Sequence, residues 1–152
     1  MELLSSLFFV IAPLCSPIAW AQKPVPEFKD YPANGIYQGT NAPIISLTKN
    51  DRMYRTRLSN AAKEKPNFAG HYIITAWGCG ASCLMGAAID AKTGKVHWWD
   101  FSVCCWDESV EDPINFRLDS SLIVFSGLRN EKGSKGQYYY KIEHGKFIQI
   151  RR

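Results

Sequence analysis

From Phe68 to the C-terminus the chain is a succession of short apolar and aromatic runs separated by turn residues, and this limits the fold more than any other feature. "HYIITAW", from His71 to Trp77, is rich in β-branched and aromatic residues with both alternating faces apolar, which predicts a central strand. "LMGAAID" and "KVHWWDF" flank "AKTG", where Gly94 can take the positive φ of a short hairpin turn. "INFRL" and "SLIVFSGL" are separated by Asp119 and Ser120, and "GQYYYKIE" meets "KFIQI" across His144 and Gly145. The prediction is a mainly antiparallel β meander of about six or seven strands. Two irregular segments interrupt it. "RNEKGSKG" reads as a polar, mobile hairpin tip, and "SVCCWDESVEDP" is set apart by two cysteines and a tryptophan.

Ahead of the β region, Met53, Tyr54, Leu58, Ala61 and Ala62 recur at helical spacing and predict one helix from about Asp51 to Lys63. Asn50 or Thr48 can cap its start, and Pro66 stops it. The proline-rich "QKPVPEFKDYPANG" reads as an extended lead-in on the surface. One N-terminal helix followed by an antiparallel sheet, curled or packed on itself, places the chain in the α+β class.

The first 21 residues have one acid, no base, a short apolar run broken by Pro13 and Pro17, and the ending Ala19-Trp20-Ala21. Small residues at that spacing describe a signal peptide over residues 1–21, with cleavage after Ala21. The run is too short and broken for a membrane span, and Cys15 leaves with it. Residues 22–152 then form a single exported domain with no membrane span, in the periplasm or outside the cell. The formal charge of +4 is mild, and its bases are scattered rather than gathered into the stripe that nucleic-acid binding requires.

Export makes oxidation the default for Cys79, Cys83, Cys104 and Cys105, and an even number favours a disulfide staple. Crossed bridges between the two pairs would close loops worth roughly 3 kcal/mol each, whereas local bridging strains the adjacent Cys104 and Cys105 into a ring. The crossed arrangement is the expectation. Adjacent cysteines cannot readily face one tetrahedral ion, and three residues separate Cys79 from Cys83, which fits neither a zinc knuckle nor a thioredoxin-type pair. No metal or other cofactor is implied. A Cys/His-dependent hydrolase would need a free thiol beside His71, His97 or His144, and no spacing places one there.

Trp98 and Trp99 point to opposite faces of their strand, so either both faces are covered or one indole is exposed. With Trp106 and the acids Asp107 and Glu108 they could form an adhesive patch for a protein or a glycan. His71, in "NFAGHY", can bond Asp90 of the next strand or serve a ligand, and of Arg55 and Arg57 one is expected packed and the other solvated. No phosphate loop, GxSxG elbow or diagnostic carboxylate pair is present.

Asn67-Phe68-Ala69-Gly70-His71-Tyr72, "WGCG" with Cys83, and the "DAKTGKV" hairpin resemble an uncharacterised group of small exported bacterial proteins. The resemblance spans about Arg55 to Val96. It implies export and the helix-then-sheet order, and it carries no activity. The functional expectation is a non-enzymatic periplasmic protein-binding module of the inhibitor or immunity type, with another envelope protein as partner. The alternatives are a peptidoglycan-binding module using exposed tryptophans and the Cys/His hydrolase.

Overall fold

The computed structural model describes residues 24–151. The predicted signal segment, with Cys15, lies outside the described residues. Eight strands form one antiparallel sheet: β1 (Tyr72–Gly80), β2 (Cys83–Asp90), β3 (Val96–Trp98), β4 (Val103–Cys104), β5 (Ile114–Phe116), β6 (Leu122–Arg129), β7 (Lys132–Glu143) and β8 (Lys146–Ile150). The order across the sheet is β1-β2-β4-β6-β7-β8, with β3 on the same edge of β2 as β4, and β5 attached to β6. The α+β meander is therefore present, and its strands follow the predicted hairpins.

Turn chemistry fixes these registers. Gly94 adopts φ 74°, and its amide joins that of Thr93 on the Asp90 carbonyl. His144 and Gly145 both take left-handed conformations, so the two-residue β7–β8 turn matches the twist of its strands. Asn130 and Glu131 do the same between β6 and β7. This last turn corrects the reading of "RNEKGSKG" as a mobile tip: only Asn130 and Glu131 turn, and Lys132 onward is already strand.

The sheet consists of two broad halves, β1–β2–β3 and β5–β6–β7–β8, joined through the two residues of β4. They close on each other. Tyr72, Ile74 and Ala88 from the first half share one apolar cluster with Ile123, Phe125, Tyr140 and Ile142 from the second. Trp99 sits in this cluster at 3% exposure, with its ring 5.3 Å from Phe125 and 5.9 Å from Phe147. Gly86 of β2 gives it room, because a Cβ there would collide with the indole and with the Thr75 carbonyl. Gly127 of β6 lets β4 approach in the same way: a Cβ would strike the Cys104 carbonyl, and its φ of 127° disfavours any other residue.

Each half has its outer face covered as well. Ile73, Trp77, Ala87 and Ile89 pack under Leu58 with the half-buried Tyr54, Trp98 and Met85, while Leu122, Val124 and Tyr139 pack under Phe28 and Tyr31. The proline-rich lead-in thus does more than lie on the surface. It supplies a short 3-10 turn, Phe28–Asp30, and two aromatic rings to the core.

The predicted single helix is two short ones, α1 (Lys49–Met53) and α2 (Arg55–Ala61), which meet at Tyr54. Tyr54 leaves helical geometry at φ −103°, ψ 16°, and its ring lies 5.0 Å from Trp77 and 5.6 Å from Trp98. Contact with these two indoles outweighs the propensity to continue. Thr48 caps α1 by accepting from the Asp51 amide, and Met53, assigned to the apolar stripe, is 62% exposed. Asp51, which the sequence alone places only at the approximate start of the helix, is buried. Its Oδ2 accepts from the amides of Leu47 and Thr48, and its Oδ1 accepts from Trp98 Nε1 at 2.8 Å.

Candidate interaction surface at the cysteine end of the sheet

All four described cysteines lie at one end of the sheet, where the β1–β2 and β6–β7 hairpins project on either side of β4. In the β1–β2 tip, a register shift between Gly78 and Gly80 and a left-handed Ser82 turn the chain tightly. Cys79 and Cys83 are thereby brought to a Cα separation of 5.2 Å and form a disulfide.

This corrects the expected crossed pairing. Cys104 stands directly opposite Cys83 in the β2–β4 register, but Cys83 is already bonded to Cys79, and Cys104 and Cys105 are thiols. Loop entropy favoured the long closures. Tip geometry decided for the short one, which is worth about 2 kcal/mol by the same loop-entropy relation.

Cys104 is buried and Cys105 exposed. The Cys104 thiol is pushed up to about 11, first by its hydrogen bond with Cys105, then by burial, then by the charges of Cys105 and Glu131. Titration of the unreduced protein with a chromogenic disulfide at pH 8 is therefore expected to show one thiol reacting at once and a second equivalent far more slowly. Cys105→Ser should remove the fast phase. A fast second equivalent would contradict the burial of Cys104.

Around the thiols the surface alternates in charge. Lys135 Nζ lies 2.9 Å from Asp107 Oδ1, tying β7 to the acidic loop after β4, and the hydrogen bond and charge of Asp107 raise the Lys135 pKa. Asn130 exchanges two hydrogen bonds with Ser102: its amide donates to the Ser102 carbonyl, and its Oδ1 accepts from the Ser102 amide, each at 2.9 Å. The β6–β7 turn is thus fastened to the chain entering β4. Arg129 stacks on Tyr138 at 4.0 Å, donates to the Tyr140 hydroxyl, and reaches Gln149 Oε1 at 3.0 Å. Beyond this anchor, Lys132 to Gly136 are exposed and Gln137 is likewise open to solvent. Lys135 and this strand were missed in the sequence, because "KGSKG" contains no β-forming residue; the paired backbone alone makes it a strand.

The candidate binding residues do not gather in one patch. Trp98 is half-buried, bonded to Asp51 and packed at 5.7 Å against Trp77. Trp99 is buried on the opposite face, and Trp106 is partly buried against the same cluster as Trp99. The three indoles therefore form no common exposed platform, and two-sided packing accounts for the adjacent pair. Asp107 and Glu108 are exposed at the cysteine end, where Asp107 holds Lys135.

His71 lies just before the other end of β1, eight residues or about 26 Å along the extended chain from Cys79. Its Nε2 is 3.9 Å from Asp90 Oδ1 and its ring 4.2 Å from that of Tyr72, which also meets the His97 ring at 5.8 Å. Arg57 packs over Trp77 at 5.8 Å. His71, His97 and His144 are all placed away from the thiols. Burial lowers the pKa of both His71 and His97 below 6.5, and the Asp90 charge only partly opposes it. The unfolded chain then binds more protons than the folded one as pH falls through 6.5, so stability declines on acidification in that window. A thermal-unfolding series between pH 7.5 and 5 should show this decline, and His97→Gln should reduce its slope.

A groove of about 800 Å³ runs between the segment from Ile36 to Ile44 and the chain after α2, from Ala62 to Pro66. Asn41 crosses it, donating from Nδ2 to the carbonyls of Ala62 at 2.8 Å and Glu64 at 2.7 Å. No group of three or more His, Cys, Asp or Glu side chains able to hold a metal ion occurs among the described residues, and no helix among them is long and apolar enough to cross a membrane. No known protein family matches the chain, and neither does any curated protein or solved structure.

Proposed function

We propose that the chain is an exported, non-enzymatic protein-binding module of the inhibitor or immunity type, whose partner is another protein of the cell envelope. The observation that carries this reading is the arm from Lys132 to Gln137. It is ordered as strand, yet it buries nothing. An exposed strand segment of this kind offers backbone groups along which another chain can pair. The arm is held out by the Arg129–Tyr138 stack and the Asn130–Ser102 bonds, beside a tip closed by the Cys79–Cys83 bridge and the acidic groups Asp107 and Glu108. A preorganised surface of mixed charge suits a protein partner, because ordering costs are already met and charge sets the register of docking.

Affinity capture from envelope extracts with the wild-type chain and with a Lys132→Glu, Lys135→Glu variant tests this. A partner retained by the first and lost by the second, with unfolding temperatures unchanged, is the expected result. Equal retention by both, or no retained protein at adequate expression, would sink the proposal. N-terminal sequencing of the exported chain should begin at Gln22.

A further inference from the structure

Two of the four cysteines at this end of the sheet are oxidised and two are reduced, and three of them sit on consecutive strands. Cys79 is on β1, Cys83 on β2 and Cys104 on β4. Cys83 and Cys104 are direct Cα partners, which places their side chains on one face with Cβ atoms about 5 Å apart. That separation is close to what a disulfide spans. The face is the same by an independent route. Met85, Ala87 and Ile89 alternate with Cys83 onto the face covered by Leu58, while Val103 packs in the cluster of the opposite face, so its neighbour Cys104 points to the face of Cys83. Adjacent strands lie about 4.8 Å apart, so the sulfurs fall in the order Cys104, Cys83, Cys79 across the sheet. This is the order needed for a thiolate to enter at the central sulfur and expel the far one.

We infer that the four cysteines form a thiol–disulfide relay, in which Cys104 takes over the bond to Cys83 and delivers Cys79, at the exposed tip, as a thiol that reacts with a disulfide of an incoming peptide or small molecule. In the internal step Cys104 Sγ, as thiolate, attacks Cys83 Sγ. The Cys83–Cys104 bond forms, the Cys79–Cys83 bond breaks with its electron pair leaving on Cys79, and the proton given up by Cys104 is regained there. The exchange consumes no oxidant or reductant. In the external step the Cys79 thiolate attacks one sulfur of the incoming disulfide, forms a mixed disulfide and releases the other half as a thiolate. Cys105 is hydrogen-bonded to Cys104 and exposed, so it gives Cys104 a route to exchange protons with solvent. The device also has a mechanical result. The bridge moves from within the β1–β2 tip to the junction of the two halves, freeing the tip while locking β4.

The relay goes beyond the protein-binding reading and does not depend on it. The test uses the Cys105→Ser variant, so that only one thiol remains on β4, incubated natively at pH 9 with excess oxidised glutathione. It is then quenched in acid and mapped by fragmentation mass spectrometry without reduction. The expected product, in most molecules, carries one glutathione on Cys79 and a Cys83–Cys104 bridge. Glutathione on Cys104 with the Cys79–Cys83 bridge intact overturns the relay, as does an unreacted protein. A Cys79→Ser, Cys105→Ser double variant provides a second reading on the geometry alone. Under the same oxidant it should close a Cys83–Cys104 bridge, and separate glutathione caps on both thiols would overturn the proposed order of sulfurs.

Discussion

Trp99→Ala is expected to lower stability by about 4 kcal/mol, at the upper part of the range for removing a buried aromatic. For a domain of this size that corresponds to roughly 12–16 °C in unfolding temperature, enough to leave a marginal protein unfolded at 37 °C. The cost is large because the indole touches both halves of the sheet. It lies on Gly86 of β2 and against Phe125 of β6 and Phe147 of β8, so its loss opens a void where the halves close. Trp99→Phe is expected to cost less than half as much, because Trp99 Nε1 has no hydrogen-bond partner among the described residues and phenylalanine has no such group to bury. Thermal and urea unfolding of both variants checks the pair. Equal costs would show that the indole nitrogen, rather than the ring volume, is what the site accommodates.

The second large effect is expected at Asp51. Asp51→Ala leaves three donors, the Leu47 and Thr48 amides and Trp98 Nε1, without their acceptor in a buried place, and should cost about 3 kcal/mol. The variant should also change the pH profile. Burial pushes the Asp51 carboxyl upward, but the hydrogen bonds from Trp98, Thr48 and Leu47 together outweigh it and hold the pKa below its ordinary 3.8. A carboxyl whose folded pKa is depressed contributes stability above its unfolded value and loses it as pH falls through the folded one. The acid limb below about pH 4 should therefore be shallower in Asp51→Ala than in wild type. Denaturant midpoints measured from pH 5 to pH 2 test this, and parallel limbs would refute the assignment.

These two residues also show where the sequence was legible. Trp99 belongs to a run whose alternation announced two covered faces or one exposed indole, and the sheet chose the first. The β8 strand could be read to its ends, because "KFIQI" is bounded by the turn at His144 and Gly145. β4 could not: two residues show no period, and Val103 and Cys104 are strand only because β2 and β6 offer edges on both sides. Asp51 left one clue, its position three residues after Thr48, but its burial depends on Trp98, far along the chain. The break at Tyr54 is equally non-local. At the cysteine end of the sheet, the acids Asp107 and Glu108 and the four described cysteines were identifiable, while the pairing of the sulfurs turned on backbone angles at Gly80 and Ser82 that no spacing rule contains.

β4 has a consequence for how the molecule assembles. The β1–β2 and β6–β7 hairpins are built from neighbours in sequence and can zip locally, but β4 finds hydrogen-bond partners only where both already stand. Its two residues thus act as a checkpoint on tertiary order: amide exchange at Val103 and Cys104 reports the union of the halves, whereas exchange in either hairpin reports that half alone.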